Sequence, residues 1–211
     1  MYFRGPVTSP AEPPELLPRV GAYLARLPSG VASHPECVAR ASLLRVSLSE
    51  RPLAREHVDA LPAPVRQLVA CPPLDAEWVS DVHLVCVLFA IADAHGMSDE
   101  GYLSWIGELN ARMFRTTFRH LMTVASPEQL VDQVAERWGV FHRGSSLAVT
   151  RQGPGNALVH LAFPPRLFHG LAVRQFAPVW QAALQIADPT SRVDLVASDD
   201  VTARFAARWR A

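Results

Sequence analysis

The chain has 211 residues, 49% of them apolar and 19% charged, with a formal net charge of zero; that suffices for one packed domain without a disulfide or metal staple, and it offers no global field for nucleic acid or an anionic membrane. All 20 basic residues are arginine, so the chain cannot form a lysine Schiff base with pyridoxal phosphate or a carbonyl substrate, and cannot build a Walker P-loop. The three cysteines, Cys37, Cys71 and Cys86, lack any C-x-x-C spacing, which argues against a disulfide framework or a structural zinc site. Together with an N-terminus that lacks the apolar core of a signal peptide, and no apolar run long enough to span a bilayer, this predicts a cytoplasmic protein.

In chain order, residues 1–14 are proline-rich and polar and read as an extended arm. Short helical pieces broken by proline follow. One covers about 15–27; the next is SHPECVARASLLRVSL, where Ser33 can cap, Pro35 sits in the first turn and Glu36 suits the helix start; two more lie near 53–60 and 63–70. DAEWVSDVHLVCVLFAIADA, from Asp75 to about Ala94, is apolar nearly all round in its second half, as a central buried helix should be. SDEGYLSWIGELNARMFRTTFRHLMTV opens with Ser98 as cap and places Leu103, Ile106, Leu109, Met113 and Phe114 at helical spacing. SPEQ then starts a third helix, with Ser126 as cap, Pro127 in the first position and Gln129 completing a capping box; it runs to about His142 and stops at Gly144.

The period changes there. SSLAVTRQ and NALVHLAF are short β-like runs joined by GPGN, a hairpin signal. A helical stretch from about Pro165 to Ala187 is kinked or interrupted at Pro178. SRVDLVAS, a turn at Asp199 and Asp200, and VTARFAARWR close the chain, with Ala203, Phe205, Ala207 and Trp209 alternating against Arg204, Ala206, Arg208 and Arg210.

Four groups of residues could carry chemistry. In WGVFHRGSSLAV, His142 beside Ser145 and Ser146 reads either as a base and hydroxyl pair or as a helix end. The G-x-S-x-G turn of a serine hydrolase is missing, and Gly144 suits a C′ position with His142 and Arg143 in the last turn at the negative end of the dipole. Asp81, His83, Cys86, Asp93 and His95 share one helix, either as partial metal ligands or as satisfied groups beside a buried cysteine. Arg119 and His120, in FRTTFRHLM with Arg112 and Arg115, form either a solvated basic surface or a site for an anionic ligand. His160 alternates with Val159 and Leu161 on a strand, so it either lines a pocket or faces solvent. The apolar surplus of the two central helices serves a ligand cavity, a dimer interface or simply the core.

HPECVARASLL, ALPAPVRQLV, DAEWVSDVHLVCVLFAIAD, FRHLMTVASPEQLVDQVAERWGVFHRGSSLAV and TARFAARW, in that order, resemble an uncharacterised paralogous family of myxobacterial proteins of similar length. The most specific part is SPEQL…RW…RG followed by two strands, a helix and two strands ending in tryptophan; the resemblance spans about residues 33–210. That family in turn is similar to 4-vinyl reductase domains, heme NO-binding-like domains and certain vesicle-trafficking subunits, which implies helices packed on a β-β-α-β-β sheet. Its chemistry does not transfer. No cysteine follows Cys86, where 4-vinyl reductase domains place candidate ligands, and YLSWI at 102–106 lacks the arginine of the heme-binding Y-x-S-x-R motif and lies on a helix.

The sequence therefore predicts an α+β protein: a helical part, 15–143, packed on an antiparallel four-stranded sheet of β-β-α-β-β order, 144–211, in a single domain with a shared core. The predicted function is a non-enzymatic cytoplasmic module, with a regulatory role among its options, that binds a small apolar ligand, a protein partner or a second copy of itself as a homodimer. His142, Arg143, His120, Arg119 and His160 are the candidate binding residues, and no cofactor or metal is expected. The competing class is a hydrolase or isomerase that uses His142 or His120 with a carboxylate brought in by folding.

Overall fold

A computed structural model describes residues 16–122 and 126–210; the arm expected over 1–14 lies outside them. Helix α1 (Pro18–Arg26) begins with proline in its first turn and buries Val20 and Tyr23. Arg19 ties it down: its backbone N–H and its Nη1 donate to Asp93 at 2.9 and 2.7 Å, and its Nη2 donates to the Met97 carbonyl at 2.6 Å. The segment after α1 departs from the sequence-based expectation. Instead of a helix capped at Ser33, the chain forms strand β1 (Val38–Arg40), and helix α2 starts only at Ala41 and runs to Glu50. Ser33 Oγ accepts from the Ser29 N–H at 2.9 Å and so closes the preceding turn, while His34 adopts a positive φ of 52° that ends any helical path.

Two short helices follow, α3 (Arg55–Ala60) and α4 (Ala63–Ala70), much as the proline punctuation predicts. The central helix is shorter than expected, because Trp78–Ser80 is strand β2 and helix α5 covers Asp81–Ala94. Its apolar character all round is used in full: every residue from Leu84 to Ala92 is buried. Ser98 caps helix α6 (Asp99–Arg115), accepting the Gly101 N–H at 3.1 Å. The expected single helix to about 124 breaks at Thr116, and a 3₁₀ turn occupies Arg119–Met122. Helix α7 (Pro127–Phe141) starts on the Ser126 cap as predicted, with Ser126 Oγ accepting from the Gln129 N–H at 3.4 Å.

His142 and Arg143 form a two-residue strand, β3, so they are not the last turn of α7. β3 and β2 flank β1 in a small antiparallel sheet of order β2-β1-β3, which pairs Ala39 with Val79 on one side and His142 on the other. Gly144 has the predicted positive φ, 80°, for a different reason from a helix cap: a Cβ there would lie 2.8 Å from Cys37 Cα and 2.8 Å from the Glu36 carbonyl.

The second sheet is the predicted one. β4 (Ser146–Gly153) and β5 (Asn156–Ala162) form the hairpin, and β6 (Arg192–Ser198) and β7 (Thr202–Arg208) complete an antiparallel sheet of order β4-β5-β7-β6. The helical connection between β5 and β6 divides into α8 (Leu171–Arg174) and α9 (Phe176–Leu184), with the break at Gln175. Pro178 is the third residue of α9, and the break falls between it and Arg174, four residues earlier, whose carbonyl a proline cannot bond and its ring disturbs; the interruption expected at Pro178 is thus found three residues before it. Ala203, Phe205, Ala207 and Trp209 are buried, as their alternation predicts, and join residues of α1, α5, α6, α7 and α9 in one hydrophobic core. Among the described residues no helix is long and apolar enough to cross a membrane.

Candidate functional site

Two members of the small sheet, β2 and β3, bring a polar side chain each to the same point. β3 sets His142 opposite Ala39, and β2 leads into α5 so that Asp81 is its first residue. The Asp81 N–H donates to the Cys37 carbonyl at 3.0 Å, which fixes the start of α5 against the residue that leads into β1. The result is a contact between groups 61 residues apart: His142 Nδ1 lies 3.0 Å from Asp81 Oδ1. A carboxylate at that distance holds the proton on Nδ1 and leaves Nε2 as the outward nitrogen.

Both groups are shielded. The Asp81 side chain is 2% exposed and the His142 side chain 13%. Asp81 sits in the first turn of α5, where the positive end of the helix dipole favours a negative charge. The His142 ring stacks on Trp138, one turn earlier on α7, with centroids 4.2 Å apart and planes 14° from parallel. Trp138 is itself pinned by its indole N–H, which donates to Ser145 Oγ at 3.1 Å. The serine of the sequence motif therefore positions the aromatic ring beside His142 and has no contact with His142 as a nucleophile.

His142 and Asp81 line a cavity of about 140 Å³ between α2, α5, α6, α7 and α9. Its walls are largely apolar and aromatic, with Phe114, Phe118, Phe141, Phe168, Phe176 and Trp180 among them. Polar groups interrupt the lining at Arg40, Ser42, Asn110, Arg137 and Gln175. Two of these are partly committed: the Gln175 amide oxygen accepts the buried Tyr102 hydroxyl, and Asn110 Nδ2 donates to the Ile106 carbonyl at 2.9 Å. Three of the lining residues also carry a buried side-chain atom with no hydrogen-bond partner: Ser42 Oγ, Asp81 Oδ2 and Arg137 Nη1.

Of the five candidate residues, the structure brings only His142 into the cavity. Arg143 extends over Trp78, its guanidinium carbon 4.1 Å from the ring centroid, and Arg40 lies 4.0 Å from the same ring. Arg119 and His120 are exposed on the 3₁₀ turn, whose neighbours Phe118 and Met122 reach the cavity wall instead. His160 points to the face of the large sheet away from the core, between Ala148 and Arg204 on the adjacent strands.

The helix-borne set of Asp81, His83, Cys86, Asp93 and His95 disperses. Asp81 goes to His142, Asp93 to Arg19, and Cys86 is fully buried, its thiol pushed up to about 12 by burial. Burial also holds His83 below its ordinary range. Among the described residues no group of three or more His, Cys, Asp or Glu could hold a metal ion. Cys37, next to the small sheet, is raised to about 12 by burial and by Glu36 and Asp81, so it is not a reactive thiolate.

Sequence reasoning missed Asp81 as the partner of His142, together with Ser42 and Arg137. A signal was present in the paired runs ECVAR and EWVSD, each a valine-centred extended segment just before a helix. Three residues are too few for a period of two to register.

No protein-family model and no curated protein matches this sequence. Solved structures do match in fold. An H-NOX-family domain studied for heme distortion superposes with a TM-score of 0.59 at 7% identity, covering 82% of this chain and 95% of its own. An oxygen-binding H-NOX domain related to soluble guanylate cyclases gives 0.57 at 7% identity, over 81% and 92% of the two chains. A third, from work on the mechanism of H-NOX activation, gives 0.57 at 8% identity over 81% and 94%. At these identities the likeness establishes a shared fold.

Proposed function

We propose that this protein is a non-enzymatic small-molecule-binding module whose ligand occupies the cavity beside His142 and Asp81. The observation that carries this reading is the cavity itself. Protein interiors are close-packed, and a partly open cavity of about 140 Å³ lined by aromatic rings and a few polar groups is the kind of concave, mostly apolar space in which small ligands bind. The fold likeness agrees with it, since the H-NOX neighbours are described as heme or oxygen-binding domains.

Heme itself does not fit these residues. The space, about 140 Å³, is close to that of an engineered cavity that accepts benzene, about 150 Å³, and a porphyrin joins four pyrrole rings in one plane. Trp138 covers one face of His142, the sole histidine on the cavity wall, and Phe176 and Phe168 stand edge-on to the same ring at 6.1 and 6.5 Å.

Native mass spectrometry of protein purified from its own host tests the proposal. The expected result is an added mass of a small organic molecule, lost on denaturation. A clean apo mass, together with no change in thermal stability on exposure to benzene, would overturn it.

One observation favours a second reading, a hydrolase or isomerase. His142 held by a buried carboxylate at 3.0 Å is the orientation of a general base. Against it, Ser145 is engaged by Trp138, and no nucleophile contacts Nε2 among the described residues. The readings separate on His142→Gln: under the binding reading the variant keeps a ligand, while under the enzymatic one it accumulates substrate in place of product.

A further inference from the structure

We propose that the cavity ligand is a single-ring aromatic carboxylate that also carries a hydrogen-bond donor, with 4-hydroxybenzoate as its simplest probe. This rests on the reading above that the cavity holds a small molecule, and adds its chemical class. The size limit comes first: room on the benzene scale accepts one ring with small substituents. The walls suit a flat ring, because Phe176 already stands edge-to-face with Trp138 at 5.6 Å and with Phe168 at 4.9 Å, and another ring extends that array.

The unpartnered atoms set the rest. Six buried side-chain polar atoms lack a partner among the described residues, and three of them belong to residues that line this one cavity. Arg137 presents Nη1, while its Nε and Nη2 both donate to the neutral amide oxygen of Gln133, at 3.2 and 2.5 Å. No carboxylate among the described residues lies within ion-pair distance of Arg137. A buried guanidinium edge with only an amide for company selects an anionic acceptor.

Asp81 imposes the opposite demand. Its Oδ1 is taken by His142, its Oδ2 is buried and unpartnered, and a carboxylate can only accept. It therefore selects a donor, such as a ring hydroxyl or N–H. Ser42 Oγ, in a residue 3% exposed, can donate or accept and serves either end. A bare hydrocarbon leaves all three atoms unsatisfied. An amine satisfies Asp81 and strands Arg137; a simple aromatic acid does the reverse.

The test titrates benzene, phenol, benzoate and 4-hydroxybenzoate into the 211-residue chain, with the fluorescence of the cavity-lining Trp138 and Trp180 and calorimetry as readouts. The expected order places 4-hydroxybenzoate about tenfold or more tighter than phenol or benzoate, and benzene weakest. Arg137→Met, on the partly exposed face of α7, should weaken 4-hydroxybenzoate and benzoate about tenfold and leave phenol unchanged. Asp81→Asn should weaken 4-hydroxybenzoate and phenol and spare benzoate; if it fails to fold, Arg137→Met and the order of the four probes decide alone. If phenol or benzene binds as tightly as 4-hydroxybenzoate, or Arg137→Met leaves the order unchanged, the proposed class is wrong and the cavity reading stands. If none of the four binds, the cavity reading falls and takes the class with it.

Discussion

Gly144→Ala tests the claim that the small sheet, and not a helix cap, dictates this glycine. Its φ of 80° alone costs an alanine about 1–2 kcal/mol. The steric cost is separate. An added Cβ would lie 2.6 Å from Cys37 Sγ, 2.8 Å from Cys37 Cα and 2.8 Å from the Glu36 carbonyl, where carbon–carbon contacts normally settle at about 3.5–4.0 Å. Two of the three neighbours are backbone atoms, so relief requires β3 to withdraw from β1. Overpacking of that kind costs about 1–3 kcal/mol, which brings the total to about 2–5 kcal/mol. Urea denaturation followed by circular dichroism measures it, with Gly96→Ala as the control. Gly96 has φ 58° and nothing within 4 Å of its added Cβ, so it carries the backbone strain alone. Removing the sulfur in a Cys37→Ala background should leave most of the Gly144→Ala penalty in place, because the Cα and carbonyl contacts remain. A Gly144→Ala variant no less stable than Gly96→Ala would refute the close-approach argument.

Three further outcomes follow from the packing. Asp93→Ala removes the acceptor of two Arg19 donors from a side chain 1% exposed, and should lower stability by about 2 kcal/mol in urea denaturation; a loss under about 0.5 kcal/mol would show that α1 docks without it. In the native protein a thiol reagent should titrate only Cys71, which is exposed, and reach buried Cys37 and Cys86 only after denaturation; two fast thiols would contradict the burial. Burial is the main cause that holds His83 and His169 below the ordinary histidine value of about 6.5, so the unfolded chain takes up their protons first. Their contribution to stability is complete above about pH 6.5 and declines as the pH falls below it, and His169→Asn should flatten that decline in midpoint measurements from about pH 7 to 5. An unchanged slope would count against it.

The parts of the fold that were legible in the sequence are those whose signals are local. Ser98 and the Ser126–Pro127 pair start their helices in place, the GPGN turn joins its two strands, and the alternation from Ala203 to Trp209 names the buried face of β7. β1, β2 and β3 were not legible, because strands of two or three residues carry no period and exist through pairing with one another. That one gap explains most of the differences: the helix expected from Ser33, the helix expected from Asp75, and the last turn assigned to His142 and Arg143 all overrun into these strands.

The candidate site was divided in the sequence in the same way. His142 stood with two serines and Asp81 stood with a histidine and a cysteine on its own helix, and each set was chemically weak as read. Folding exchanges the partners: Ser145 goes to Trp138, Asp81 goes to His142, and the new pair lines a cavity whose lining also includes Ser42 and Arg137, each with a buried unpartnered atom. Local neighbours therefore misreport this chemistry, whereas β1, the strand between β2 and β3, brings its members together from opposite ends of the helical part. Trp138, Phe176 and Trp180 form part of the wall of that cavity and limit its size, while Arg40, Asp81, Arg137 and His142 are the ionisable residues of its lining, drawn from β1, α5, α7 and β3.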